Sequence, residues 1–162
     1  MLRWFETRVD PYPSTPPAQP PRSLYAFCRH YTRGLEPWLA IMALTTTALA
    51  ILEVRLYAWT GTLVDRLGAL TPGTFLASES DRLVLIAAVV LLVMPALNLL
   101  NSLVIHQTLL GNFPMRIRWQ VHRYLLRQSM GYFQDEFAGR IAAKLMQTSL
   151  AVREVVMKVL DM

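Results

Sequence analysis

The sequence predicts an all-α membrane protein: an interfacial elbow helix, two transmembrane helices with long cytoplasmic extensions, and the start of a third helix. Three observations carry this prediction. Hydrophobic residues fill 54% of the 162 positions and charged ones only 17%, where a water-soluble domain carries about a quarter charged residues. The apolar excess is gathered in two blocks, residues 38–64 and 83–105, each longer than the roughly 20 residues that cross a bilayer. The net charge is +5, and the basic residues gather outside those blocks, as they do beside anionic headgroups.

Residues 1–22 hold six of the ten prolines. Such a segment forms no regular helix and has little to bury, so it is expected to be a disordered Pro-rich cytoplasmic tail. It has no apolar stretch of the kind a secretory signal needs. Ser23 is a helix-start residue directly after Pro20, Pro21 and Arg22. Leu24, Phe27, Cys28, Tyr31 and Leu35 then share one helical face, with Arg29, His30 and Arg33 off it. This pattern, over 23–36, fits a helix lying in the interface, its apolar side in lipid. A soluble amphipathic helix packed on a protein core gives the same pattern. Gly34 and Pro37 end it. Cys28 is the one cysteine, so no disulfide forms within the chain, and it reads as an apolar-face residue.

The first span, 38–64, has Trp38, Tyr57 and Trp59 near its ends, where aromatic side chains sit at the membrane surface. Glu53 and Arg55 interrupt it. A charge inside a span costs on the order of 3 kcal/mol on insertion scales, so it faces protein or water, or snorkels to the surface. Glu53 is therefore a candidate for a substrate pathway, against the plainer role of a bundle-facing carboxylate. Residues 65–82 carry Gly68, Pro72, Gly73 and Ser78 and read as a polar outer loop. They are too few for an independent binding domain.

The second span, 83–110, contains Pro95, which removes a backbone donor and kinks the helix. Asn98 and Asn101 are three apart and share a face, to bond a neighbouring helix or line a pathway. The helix runs on to about residue 130, bent near Gly111 and Pro114. There Ile117, Val121, Tyr124 and Leu125 form an apolar stripe, and Arg116, Gln120, Arg123 and Arg127 a polar one. The pattern breaks over 131–139. From 140 a third helix is marked by Ile141, Leu145, Thr148, Val152, Val155 and Val159, recurring at three or four residues. Its pattern is unfinished at Met162, which predicts a piece of a longer protein.

Five basic residues precede the first block, two lie between the blocks and eight follow the second, with Arg55 inside the first. The positive-inside rule then places both ends in the cytoplasm, the expected location being the inner (plasma) membrane.

The chemistry the chain lacks is informative. It contains no phosphate-binding G-x-x-x-x-G-K-[ST] loop, no H-E-x-x-H and no G-x-S-x-G. His30, His106 and His122 fall on separate segments. No catalytic, cofactor-binding or metal-binding residue is expected in this chain. Asp135 and Glu136 are neighbours in sequence and do not face one another on a helix. The basic helix carries no nucleic-acid reader motif, so no nucleic-acid partner is expected.

The run 123–134, RYLLRQSMGYFQ, resembles the approach to the first intracellular loop of the membrane domain of type IV ABC exporters. That family has a Leu- and Arg-rich helix, a Q-x-x-x-F-F stretch, and a Gly before an aliphatic residue. Phe133, Gly139, Arg140 and Ile141 fit, with Tyr132 in place of one Phe. The stretch from Glu53 to Tyr57, and Gly61 through Asp65, resembles the family's usual close of the first span. The resemblance covers residues 23–162; the length of the Pro-rich tail and Arg55 depart from it. It implies six spans per subunit and a homo- or heterodimer, with a nucleotide-binding domain on another part of the protein taking ATP and Mg. It also implies that Gln134, Asp135, Glu136 and Phe137 lie in or beside a coupling helix that touches that domain. The expected partners are thus the lipid bilayer, the nucleotide-binding domain, a second subunit and an unidentified substrate. A two-span sensor or adaptor, relaying a signal through its cytoplasmic helices, is the alternative. Sensors generally need an outer domain, which residues 65–82 do not provide.

Overall fold

A computed structural model describes residues 3–16, 19–69, 72–135 and 138–161. Among them the chain is all-helical, without a strand. The helices are α1 (Arg3–Glu6), α2 (Leu24–Thr32), α3 (Glu36–Ala69), α4 (Pro72–Ala88), α5 (Met94–Leu103), α6 (Asn112–Leu125), α7 (Met130–Asp135) and α8 (Ala138–Asp161). The chain divides into two compact units, Met1–Met42 with Leu103–Met162, and Ala43–Ser102.

The first unit has the larger core. Phe113 and Ile117 of α6 are fully buried against Tyr31, Leu35, Leu39 and Met42, with Val104, Leu109 and Val152. Side chains of this size each contribute about 1.5–3 kcal/mol when removed from water. The turn from α2 to α3 is set by Gly34, whose φ of +82° suits the residue without a Cβ. Its N–H donates to a carboxylate oxygen of Glu36 at 2.7 Å. Pro37, expected to end the first helix, instead lies in the first turn of α3, where its missing N–H has no intrahelical role. On α8 the packed face is Val152, Val156 and Leu160, while Val155 and Val159 of the expected stripe are exposed.

The expected disordered tail over 1–22 does not describe residues 3–16. Val9 belongs to the core, Phe5 packs against it, and Trp4, Phe5 and Trp38 meet edge to face. The prolines rule out a long helix but leave backbone carbonyls without helical donors. Side chains of the other elements donate to those carbonyls.

In the second unit, Glu79 of α4 is buried and ion-paired with Arg66 of α3 and with Arg82, the latter at 3.5 Å. Thr45 donates to Asn101 Oδ1 at 2.9 Å. These two ties show α3 and the α4–α5 helix running antiparallel as a hairpin. The expected outer loop over 65–82 is a correction: Asp65 to Ala69 and Pro72 to Arg82 are helical. Pro72 is accommodated at the first position of α4, and the Glu79 carboxylate pairs with both Arg66 and Arg82 across the helix ends. Pro95 does interrupt the regular pattern. Residues Val89–Val93 form a π turn, and the N–H of Met94 reaches Val89 O. A second π turn, Val104–Leu109, closes with Leu110 N–H on Ile105 O at 2.8 Å. Such local widening re-satisfies backbone groups that a proline or a tight neighbour disturbs.

Two helices, Glu36–Gly68 and Ser78–Leu125, are long and apolar enough to cross a membrane. At a rise of 1.5 Å per residue they measure about 50 and 70 Å, well beyond the roughly 30 Å hydrocarbon core. Each therefore projects past the bilayer if it spans one. Leu44, Val54, Tyr57, Val84, Leu91 and Leu92 of the second unit are exposed, a surface suited to lipid or further helices.

Candidate functional site

The polar residues expected along the spans do not converge. Glu53 is exposed on α3. Asn98 is exposed on α5 and donates to Met94 O of its own helix at 3.0 Å. Asn101 is the one of the three used between helices. Its Oδ1 accepts from Thr45, and its Nδ2 lies 3.5 Å from Thr46 Oγ1. Threonine–asparagine bonds of this kind join helices where no water competes.

The expected coupling residues are only partly in view. Residues 130–135 form the short helix α7 between α6 and α8, and Gln134 is exposed on it. Asp135 is its last residue; Glu136 and Phe137 lie outside the described residues. On either side the two long helices are tied together: Arg118 Nε donates to Ser149 Oγ at 3.1 Å, and that hydroxyl donates to Met146 O at 2.8 Å. The helices that flank α7 are thus joined to each other by a side-chain bond.

On α6, Arg116 and Arg123 of the expected polar stripe are joined by Asn112 and Trp119, which the sequence reading did not single out. Arg123 Nη1 donates to Pro13 O at 3.0 Å and to Thr15 O at 2.9 Å. Trp119 Nε1 donates to Pro13 O at 3.2 Å, and its ring meets Tyr12 edge to face. Asn112 donates to Glu6 O at 2.9 Å, and Thr108 to Phe5 O at 3.3 Å. Arg116 donates to Asp10 O at 3.5 Å and to Arg33 O at 3.0 Å, joining the Pro-rich segment, the α2–α3 turn and α6. The signal in the sequence was the helical spacing of Asn112, Arg116, Trp119 and Arg123, which places four long donors on one face.

Nearby, burial, then the Arg33 guanidinium, lowers the His30 pKa below its ordinary value. Burial, then Tyr124, pushes the Tyr31 phenol up to about 12. Among the described residues no group of three His, Cys, Asp or Glu side chains is arranged to hold a metal ion.

Comparison with known proteins adds one relative. Over all 162 residues the chain is 43% identical to an uncharacterized ABC transporter ATP-binding protein of Haemophilus influenzae, and it spans 26% of that protein's length. No family model and no solved structure matches. The similarity to an ABC transporter component, together with two apolar helices, is consistent with a protein of the inner membrane.

Proposed function

We propose that the chain is the first part of the membrane-spanning permease of an ATP-driven ABC exporter. The observation that carries this is the 43% identity, over all 162 residues, to a protein named for ABC transport and ATP binding. The aligned segment itself contains no phosphate-binding loop. A segment with two long apolar helices and no phosphate loop belongs, on this reading, to the part that moves when ATP is bound elsewhere. ATP and Mg would be held by a nucleotide-binding domain outside this chain.

In this reading α2 lies at the inner surface with its basic side toward headgroups, and the excess length of α3 and of the Ser78–Leu125 helix projects into the cytoplasm. The basic residues put the N-terminus there too. The turn at α7, with Gln134, Asp135, Glu136 and Phe137, meets the nucleotide-binding domain. A short helix at the tip of two tied helices transmits a push without bending, so domain closure biases the bundle between inward- and outward-open states. Of the pathway candidates, Glu53 and Asn98 are open to a second subunit or a substrate, whereas Asn101 already bonds Thr45.

The test uses the intact protein in lipid vesicles, with Cys28 and every other native cysteine replaced by serine and one cysteine introduced at Asn98. ATP with vanadate should change labelling of that cysteine by a membrane-impermeant maleimide. Glu136→Ala or Phe137→Ala should keep ATP hydrolysis and lose the labelling change. Failure of the intact protein to hydrolyse ATP would sink the exporter reading. Normal labelling changes in both variants would remove the coupling role from these residues.

A further inference from the structure

We infer that the N-terminal segment is a register lock on the Ser78–Leu125 helix: it holds the helix in the form that has a π turn at Val104–Leu109, and its release lets that turn close to an α turn. The turn follows from a spacing. Val104, Leu109, Phe113 and Ile117 are each fully buried in the core of the first unit, and they succeed one another by steps of five, four and four residues. In an α-helix a step of four stays within about 40° of the same face, whereas a step of five lands about 140° away. The π turn takes up the extra residue between Val104 and Leu109, with Leu110 N–H on Ile105 O at 2.8 Å. Single π turns of this kind are rare within α-helices and occur frequently at functional sites.

The N-terminal segment meets the helix along the same stretch. Thr108, inside the turn, donates to Phe5 O at 3.3 Å, and Asn112, just beyond it, to Glu6 O at 2.9 Å. Arg116 follows on Asp10 O at 3.5 Å, Trp119 on Pro13 O at 3.2 Å and Arg123 on Thr15 O at 2.9 Å. Donor and acceptor numbers rise together, so the segment runs parallel to the helix from Thr108 to Arg123, about 22 Å at 1.5 Å per residue. Each of these acceptors is a backbone carbonyl, and the segment that carries them is anchored on its own account: Val9 lies in the core and Phe5 packs against Trp38.

Closing the turn moves every residue after it by one position relative to Val104, about 1.5 Å along the axis and about 100° around it. No donor in the ladder then reaches its carbonyl, and Arg116 leaves Arg33 O as well. The anchored segment therefore fits one register and not the other, and binding of that kind shifts the equilibrium toward the register it fits. The coupling is reciprocal: whatever lifts the segment frees the turn, and whatever closes the turn releases the segment. Burial of Phe113 and Ile117 opposes closure too, so the closed form is a minor state whose population the segment sets. The lock does not depend on the exporter reading, since every residue in it belongs to the first unit.

The experiment follows amide hydrogen exchange by mass spectrometry on the intact protein in detergent. Thr108→Val together with Asn112→Leu removes the two bonds nearest the turn. Exchange over residues 104–111 should rise about tenfold, the effect of losing one to two ordinary hydrogen bonds, while residues 145–158 of α8 keep their native rates. Deletion of His106, which is exposed within the turn, makes the step from Val104 to Leu109 four residues and leaves an α turn with the buried face intact. That variant should fold and melt no lower than the native protein. In it the same two substitutions should change exchange over 104–111 less than about twofold, because no second register is left to release. No rise in the native background, an equal rise in the deletion background, or a rise that spreads to 145–158 would overturn the lock. A deletion variant that melts lower or does not fold would overturn the spacing on which the lock rests.

Discussion

Arg123 offers the sharpest test of how the Pro-rich segment is held. Its Nη1 donates to two carbonyl oxygens, of Pro13 and Thr15, at 3.0 and 2.9 Å. A hydrogen bond from a charged donor contributes about 1.5–3 kcal/mol net, and partial exposure of this side chain argues for the low end for the pair together. Arg123→Met keeps the aliphatic stem and loses both bonds, so about 2 kcal/mol of docking is lost. That is a roughly thirty-fold rise in the undocked population. The assay is limited trypsin digestion at Arg8–Val9. Val9 is 2% exposed, so this bond is cut only when the segment lifts off α6. When docking is fast relative to cleavage, the rate follows the open population. Cleavage at Arg8 should therefore accelerate about thirty-fold, and the melting temperature should fall with it, because the docked chain loses the same free energy relative to the unfolded one. Rapid cleavage at Arg8 in the native protein, or equal rates in the two proteins, would refute the docked segment.

Three further expectations follow from the same contacts. Asn101→Leu should weaken the α3–α5 pairing by about 1 kcal/mol, and adding Thr45→Val should cost little more, because the pair shares one bond; a double-mutant cycle measures it. Glu79→Gln leaves Arg66 and Arg82 without their carboxylate. Both arginines are about half exposed, so the loss should be about 1–2 kcal/mol, below the 3–5 typical of fully buried pairs, as read from melting in detergent. His30 has its pKa lowered in the folded state, so the unfolded chain binds the proton more readily. Its contribution is full above the ordinary value of 6.5 and is lost as pH falls below it; melting temperature should drop between pH 7.5 and 5, and His30→Gln should flatten that slope.

The two long apolar helices were legible in the chain because hydropathy alone marks them: a run such as 83–105 has no water-facing pattern to maintain. The stripe containing Ile117 and Val121 was legible too, because helical periodicity marks a buried face before any partner is known. Residues 65–82 misled for a physical reason. Gly68, Pro72 and Gly73 mark breaks in isolation, yet Pro72 begins α4, and the Arg66–Glu79–Arg82 contacts stabilise helix on both sides. The Pro-rich segment misled in the opposite direction. Its own composition gives no reason to order, since the donors that hold it lie about a hundred residues away on α6.

That separation marks the division. The sequence by itself determined where the long helices run, which of them are apolar enough to enter a membrane, and which side of α6 is basic, because these are set by neighbours three and four residues apart. Only the tertiary structure decided that Asn101 bonds Thr45 while Asn98 bonds within its own helix, that Val152 and not Val155 faces the core, and that Arg116 ties the carbonyls of Asp10 and Arg33 together. Those choices depend on which faces meet, and packing settles them with contacts that no local pattern encodes.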